Sequence, residues 1–348
     1  MRKICSVSKK SIYLWLITEN TLMEQETIKK RVIGIDISLE ATTYAIVDVK
    51  GEVVVMDSFP TLDYPDINLF VSVLSERVME MVERNGGYES IRSVGISAHS
   101  ANFMTGCIEN APNLPWKGVI PLGALLRDRT GYAVAVANNA AVRALGEHTY
   151  GLARGMRDFV VLTMGSGLGS CLFSNGMIHQ GNGGFAGEIG HTCIVNGGRR
   201  CGCGNKGCLE AYVAQKGIQA TAEELMAQTA APSLMRDVED LTPQRITACC
   251  EQGDALAIEV YRRTGELLGM GLANYASMVD PEAFIFTGGI SKAGHWLLDP
   301  AKEVFDRYVF HNTCGKTQFL VSDEDKVEND VLGASILAWE VREYSLFK

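Results

Sequence analysis

Residues 187–212, GEIGHTCIVNGGRRCGCGNKGCLEAY, gather His191, the closely spaced Cys201, Cys203 and Cys208, and two glutamates in one segment. One residue separates Cys201 from Cys203, Cys208 follows after Gly-Asn-Lys-Gly, and His191 lies ten positions before Cys201. Three thiolates and one imidazole form a Cys₃His set, which suits tetrahedral zinc with no coordination position left over. The glycine spacers matter because the chain must turn sharply to aim several ligands at one ion. A closed four-ligand site is structural: such a metal shapes a loop and takes no part in chemistry. The other reading of these residues is a set of buried free cysteines, since cysteine is also a small hydrophobe. The tight spacing and the flanking glycines favour zinc.

The elements that must carry this loop alternate in type. RVIGIDI (31–37), TTYAIVD (42–48) and GEVVVMDSF (51–59) read as three successive antiparallel strands with short turns. INLFVSVLSERVMEMVERNG (67–86) has apolar positions at helical spacing and a Gly-Gly stop. IRSVGISA (91–98) reads as a buried strand, followed by a PNLPW loop (112–116), a helix near 121–129 and a strand at 132–136. DFVVLTMGSGLGSCLFSNGMI (158–178) opens a second strand–turn–strand unit of the same kind. Two such units predict a duplicated α/β protein with a cleft between two lobes, 31–142 and 143–329. A long helix is expected at 259–280, with Gly265, Gly269 and Gly271 allowing close packing. A strand and glycine turn are expected at 283–291, then a final helix near 330–344 that crosses back to the first lobe.

Composition limits the partners. The 348 residues suffice for about two domains with a sizeable core. A formal charge of −9 with no basic stripe argues against nucleic acid, and no apolar run reaches membrane-spanning length. Ten cysteines in a chain this long fit no extracellular disulfide framework, so a reducing cytoplasm is the expected setting. The first thirty residues carry Arg2, Lys3, Lys9 and Lys10 ahead of the short apolar patch IYLWLI (12–17). That patch is shorter than a usual signal-peptide core. The segment reads as a disordered extension or as sequence upstream of a start near Met23, with a membrane-anchoring helix the less favoured reading.

Taken together, GEIGH…CGCGNKGCLEAY, APNLPW, LTMGSGLG, GLAN…DPE and FTGGIS resemble the ROK family of sugar kinases and kinase-derived regulators. The resemblance runs from about Val32 to Trp339 and is nearest to bacterial glucokinases. It implies the actin/hexokinase-like fold, a cytoplasmic homodimer, and ATP-dependent phosphorylation of a hexose or an N-acetylated hexosamine. The repressor branch of the family carries an N-terminal helix-turn-helix, and only thirty residues precede the first strand here, which disfavours DNA binding.

By this resemblance zinc falls to His191, Cys201, Cys203 and Cys208, and Asn138, Glu188, His191 and Glu210 meet the sugar. A zinc-bound imidazole has a second nitrogen free for a sugar hydroxyl, and carboxylates are strong acceptors for vicinal hydroxyls. Read without the resemblance, Glu188 is an exposed loop charge, Glu210 an acid favoured in a helix's first turn, and Asn138 an N-cap. The resemblance places Gly165, Ser166 and Gly167 of the MGSGLG turn at nucleotide phosphates, and Gly288 and Gly289 facing the adenosine. Alone these glycines are weak signals that also fit tight turns without a ligand.

Three positions depart from the family pattern. The family's catalytic Asp follows an Asn, whereas here VANNAA (136–141) places Asn139 at that position. A carboxamide cannot take the hydroxyl proton, and a positioned general base contributes about 100- to 10,000-fold. The family's first phosphate turn reads Asp-x-Gly-Gly-Thr, but here it is Asp36-Ile37-Ser38-Leu39-Glu40. Side chains crowd the backbone there and Glu40 adds negative charge, although Asp36 remains and can orient Mg²⁺ through water. SAHS (97–100) stands where the family usually has Gly and Pro. The expectation is a sugar kinase of reduced activity, or a non-catalytic sugar-binding regulator on the same fold.

Overall fold

The computed structural model describes residues 29–111, 114–322 and 327–341. The IYLWLI patch, Pro112 and Asn113 of the PNLPW loop, and positions 342–344 of the expected last helix lie outside those residues. Among the described residues no helix is long and apolar enough to cross a membrane.

Two five-stranded sheets repeat one topology. In the first, β1 (Arg31–Ile37), β2 (Ala41–Asp48) and β3 (Val53–Pro60) form an antiparallel meander. Parallel strands β4 (Ile91–Ala98) and β8 (Ala133–Ala137) continue it, giving the order β3-β2-β1-β4-β8. Three short strands, β5 (Ala101–Asn102), β6 (Cys107–Glu109) and β7 (Val119–Ile120), form a small separate sheet in between. The second large sheet has the meander β9 (Phe159–Met164), β10 (Leu168–Ser174) and β11 (Met177–Ile178). Strands β12 (Ala283–Thr287) and β13 (Gln318–Val321) add in parallel, in the order β11-β10-β9-β12-β13. The duplicated α/β architecture expected from the two strand–turn–strand units is therefore present. The strand and glycine turn expected over 283–291 are both found: the strand ends at Thr287, and Gly288, at φ +88°, turns the chain.

Helix α1 (Ile67–Arg84) buries Phe70, Val71, Leu74, Val78 and Val82 on the first sheet, and Asp66 caps it by accepting from the Leu69 amide. Helix α2 (Leu122–Thr130) covers the same core. Helices α3 (Asn139–Thr149) and α9 (Val327–Glu340) pack between the sheets, where Ala140, Ala144, Ala334 and Leu337 meet Phe159, Val161 and Ile285. The α9 backbone lies directly on the first sheet. A Cβ at Gly34 would stand 2.2 Å from the Val331 carbonyl oxygen, and one at Gly95 would stand 1.9 Å from that of Ala334. The final helix thus returns to the first sheet as expected.

The second sheet is covered by α4 (Glu210–Val213), α5 (Gln215–Gln228), α6 (Pro243–Glu251), α7 (Ala255–Val279) and α8 (His295–Tyr308). Helix α7 is the long helix anticipated from the sequence. It starts at an Asp254 cap that accepts from Leu256 and Ala257, and ends at Asp280 in the left-handed region. Its Gly269 admits α8 so closely that a Cβ would meet the Ala301 carbonyl oxygen at 2.2 Å.

Candidate functional site

A cleft of about 390 Å³ opens where the carboxyl ends of β4, β8 and β9 meet the loop before α4. Ligands bind at this edge in open α/β sheets because the following loops and helix N-termini converge there. Asn138, Asn139, Glu188, His191 and Glu210 all line this cleft, and so do Gly165, Ser166 and Gly167. Residues separated by more than seventy positions in sequence thus share one volume. Asp36, Gly288 and Gly289 are not on its wall.

Asn138, Glu188 and Glu210 each have an identifiable positioner. Asn138 ends the extended segment after β8 and caps α3, its Oδ1 accepting from the Ala141 amide at 2.7 Å. Its cap role and its place on the cleft wall coexist, since one side-chain oxygen is used and the amide nitrogen is left over. Glu188 sits in a turn held by Ser170 of β10. The Ser170 hydroxyl donates to the Gly187 carbonyl at 2.5 Å and accepts from the Ile189 amide at 3.1 Å. Glu188 is half-buried, not a solvated loop charge. Burial pushes its carboxyl pKa up and nearby Glu210 adds to this, while His191 opposes it.

Glu210 begins the single-turn helix α4 and joins two parts of the site. Its Oε2 accepts from the Leu168 amide at 3.0 Å, and its Oε1 accepts from the Cys201 thiol at 3.4 Å. One carboxylate therefore ties the cysteine cluster to the MGSGLG turn. Within that turn the Gly165 amide donates to the Gly167 carbonyl at 3.0 Å. The space beside Gly165 is open, with no atom within 4 Å of a hypothetical Cβ, so a phosphate can approach the backbone there.

The cysteine cluster has the dimensions of a metal site. One ligand atom each from His191, Cys201, Cys203 and Cys208 lies within 4.8 Å of every other. Zn–S bonds of about 2.3 Å at tetrahedral angles place two sulfurs about 3.8 Å apart, and a sulfur and a nitrogen about 3.6 Å apart. The Cys203 and Cys208 sulfurs are 3.7 Å apart, and Cys201 Sγ is 3.7 Å from His191 Nδ1. Donor chemistry and spacing both fit zinc. Coordination through Nδ1 directs Nε2 of the same ring away from the ion. Gly207 makes the loop possible: at φ +79° its missing Cβ would fall 1.8 Å from the Val195 carbonyl oxygen. Arg199 fastens the loop to α5, stacking on Tyr212 at 4.8 Å and pairing with Glu224 at 2.7 Å. A fourth cysteine, Cys193, bridges to Cys208 through the backbone. The turn thereby brings it to the cluster's edge.

The departures form their own structure. Ser38, Leu39 and Glu40 close the β1–β2 hairpin, with the Ser38 hydroxyl donating to the Ala41 carbonyl at 2.9 Å. Leu39 and Glu40 are exposed, and none of the three reaches the cleft wall. Asp36 is buried beneath this turn. Burial and neighbouring Asp330 push its carboxyl up to about 7, against the opposing pull of Ser97 and Arg143. Arg143, one helical turn after Asn139, forms a two-pronged ion pair with Asp330 of α9 at 2.8 and 3.0 Å. It also donates to Thr287 of β12 at 3.2 Å. Reading the sequence missed this group, and the Asn139–Arg143 spacing was the available signal. His99 was noticed only as part of SAHS, yet it lines the cleft. Ser100 beside it holds φ +55°, a left-handed conformation that glycine adopts more readily.

Comparison with known proteins agrees with this architecture. A glucokinase of Halalkalibacterium halodurans is 31% identical over 299 residues, covering 83% of this chain and 89% of that protein. A xylose repressor of Caldicellulosiruptor bescii is 27% identical over 283 residues, covering 80% of this chain and 71% of the repressor. Among solved structures, a ROK family glucokinase from Streptomyces griseus in complex with glucose and AMPPNP superposes with a TM-score of 0.72 at 29% identity. That likeness covers 89% of this chain and all of the other. The relatives thus include both sugar kinases and regulators. The ROK family profile matches residues 32–341, and with this fold and this coverage the chain belongs to the ROK family.

Proposed function

We propose that this protein is an ATP-dependent kinase of a hexose or N-acetylhexosamine, glucokinase-like in site and slower than its relatives. The observation that carries the reading is the convergence of Asn138, Glu188, His191 and Glu210 with the Gly165–Gly167 turn on one cleft wall. In this reading the carboxylates accept sugar hydroxyls and His191 presents Nε2 to a third hydroxyl. The Ser166 and Gly167 backbone approaches nucleotide phosphates, Gly288 and Gly289 face the adenosine, and buried Asp36 orients Mg²⁺ through water. Zinc held by His191, Cys201, Cys203 and Cys208 supplies shape alone. The two lobes divide near residues 142 and 143, with the last helix joining the first. The protein works as a cytoplasmic homodimer, with nucleic acid and membrane playing no part.

Reduced activity follows from Asn139, which has no lone pair basic enough to take the hydroxyl proton. The self-bonded Ser38–Glu40 turn favours a second reading, a sugar-binding regulator without transfer chemistry. A coupled assay for ADP release over glucose, allose, N-acetylglucosamine and N-acetylmannosamine, paired with calorimetry for sugar and ATP-Mg²⁺, separates the two. Turnover with ATP binding supports the kinase. Sugar binding without ATP binding or turnover overturns it in favour of the regulator.

A further inference from the structure

We propose that His99 is the catalytic base of this protein, replacing the carboxylate missing at Asn139. The inference rests on the kinase reading and follows from strand register. Parallel strands β4 and β8 pair Ser97 with Ala137. His99 and Asn139 each lie two residues beyond this pair, just past the ends of the two strands. Adjacent strands lie about 4.8 Å apart, so the neighbouring ends of β4 and β8 deliver His99, in the turn after β4, and Asn139, the first residue of α3, to the same end of the sheet. Both residues line the cleft that holds the proposed sugar contacts. The left-handed backbone at Ser100 turns the chain directly after His99, a local cost of the kind that collects at functional sites.

The surroundings suit a base. Burial, with Arg143, holds the imidazole pKa below its usual value, and Asp330 of α9 opposes them. Glu109, Glu188, Glu210 and His191 are the other titratable groups on the cleft wall. At neutral pH the ring is uncharged and has a nitrogen free to accept a proton. In the step proposed, the sugar hydroxyl oxygen bonds to the γ-phosphorus and its proton passes to the ring. The bond from that phosphorus to the β–γ bridging oxygen breaks, and ADP leaves with the electron pair. The imidazolium then returns the proton to solvent.

The test compares the unsubstituted protein, His99→Gln and His99→Gln/Asn139→Asp, using kcat against pH and sugar affinity by calorimetry. His99→Gln is expected to lower kcat by about 100- to 10,000-fold, with sugar affinity kept within about twofold and the acidic limb of the pH profile lost. Aspartate at 139 in that background is expected to recover at least tenfold. As a readout independent of turnover and of variant folding, the His99 ring resonance in the unsubstituted protein should titrate below pH 6.5 and shift on adding glucose. Unchanged kcat and pH profile in His99→Gln, or a His99 resonance indifferent to sugar, overturns the assignment while the kinase reading stands. Absence of transfer by the unsubstituted protein to every sugar overturns both.

Discussion

Replacing Cys208 by serine removes one of four ligand groups from a cluster in which the Cys203–Cys208 and Cys201–His191 Nδ1 separations are both 3.7 Å. The proposed ion would join His191 to Cys208 across a loop of mostly irregular chain that backbone bonds from Ile194 to Gly207 and from Leu209 to Thr192 also close. Closing a loop of about 15 residues constrains the unfolded chain by about 3 kcal/mol. Metal at 100 times its dissociation constant stabilises the native state by about 2.7 kcal/mol through mass action. These are two views of one linkage and are not summed, so a loss of about 3 kcal/mol is expected. For chains of 150–250 residues each kcal/mol moves Tm by about 2–4 °C, which puts the drop at roughly 6–12 °C. Sugar affinity should fall as well. His191, on the cleft wall with the proposed sugar contacts, would lose its orienting ion. Losing such outer supports typically costs 10- to 100-fold. The assay is elemental analysis for zinc on purified protein, with thermal melts and sugar calorimetry on Cys208→Ser and the unsubstituted chain. One zinc per chain, lost in the variant together with stability and affinity, is the expected result. Metal-free purified protein, with Tm and affinity unchanged in the variant, would refute the reasoning.

Two further outcomes follow from single groups. Asp36 has a folded pKa raised to about 7, so the native state holds a proton that the unfolded state has released. Its contribution to stability therefore diminishes as pH rises from about 4 to 7 and levels off above that range. Asp36→Asn should be more stable than the parent at pH 8, by an amount on the order of a few kcal/mol, and the advantage should vanish near pH 4. Denaturant melts at both pH values check this, and equal differences at the two would contradict the burial argument. Glu210→Gln keeps the shape but weakens the acceptor for the Leu168 amide. Charged hydrogen bonds are roughly twice as strong as neutral ones. Sugar and nucleotide affinities should both fall, whereas a purely sugar-side role would move only the first, as paired calorimetry would reveal.

The sequence alone was enough to define the periodic elements and to single out the cysteine loop, because both are local. Short apolar runs separated by turn residues in 31–59 and 158–178 mark strands from neighbouring residues alone, and Cys201, Cys203 and Cys208 are too near in the chain to miss one another. Family resemblance, carried by the same segment, led to the correct fold and family. What the sequence could not express was proximity across the two sheets. The Arg143–Asp330 pair joins positions 187 residues apart. His99 and Asn139 come to one cleft only because β4 and β8 are adjacent parallel strands. The Ser38–Glu40 turn read as a damaged phosphate loop, but its distance from the cleft wall is a matter of tertiary placement. Whether Glu210 belonged to a helix, a sugar or the glycine turn was likewise open until packing of α4 against β10 brought its carboxylate to Leu168. Short-range spacing is fixed by covalent geometry, while long-range contact depends on how whole sheets and helices bury one another, and no single segment encodes that.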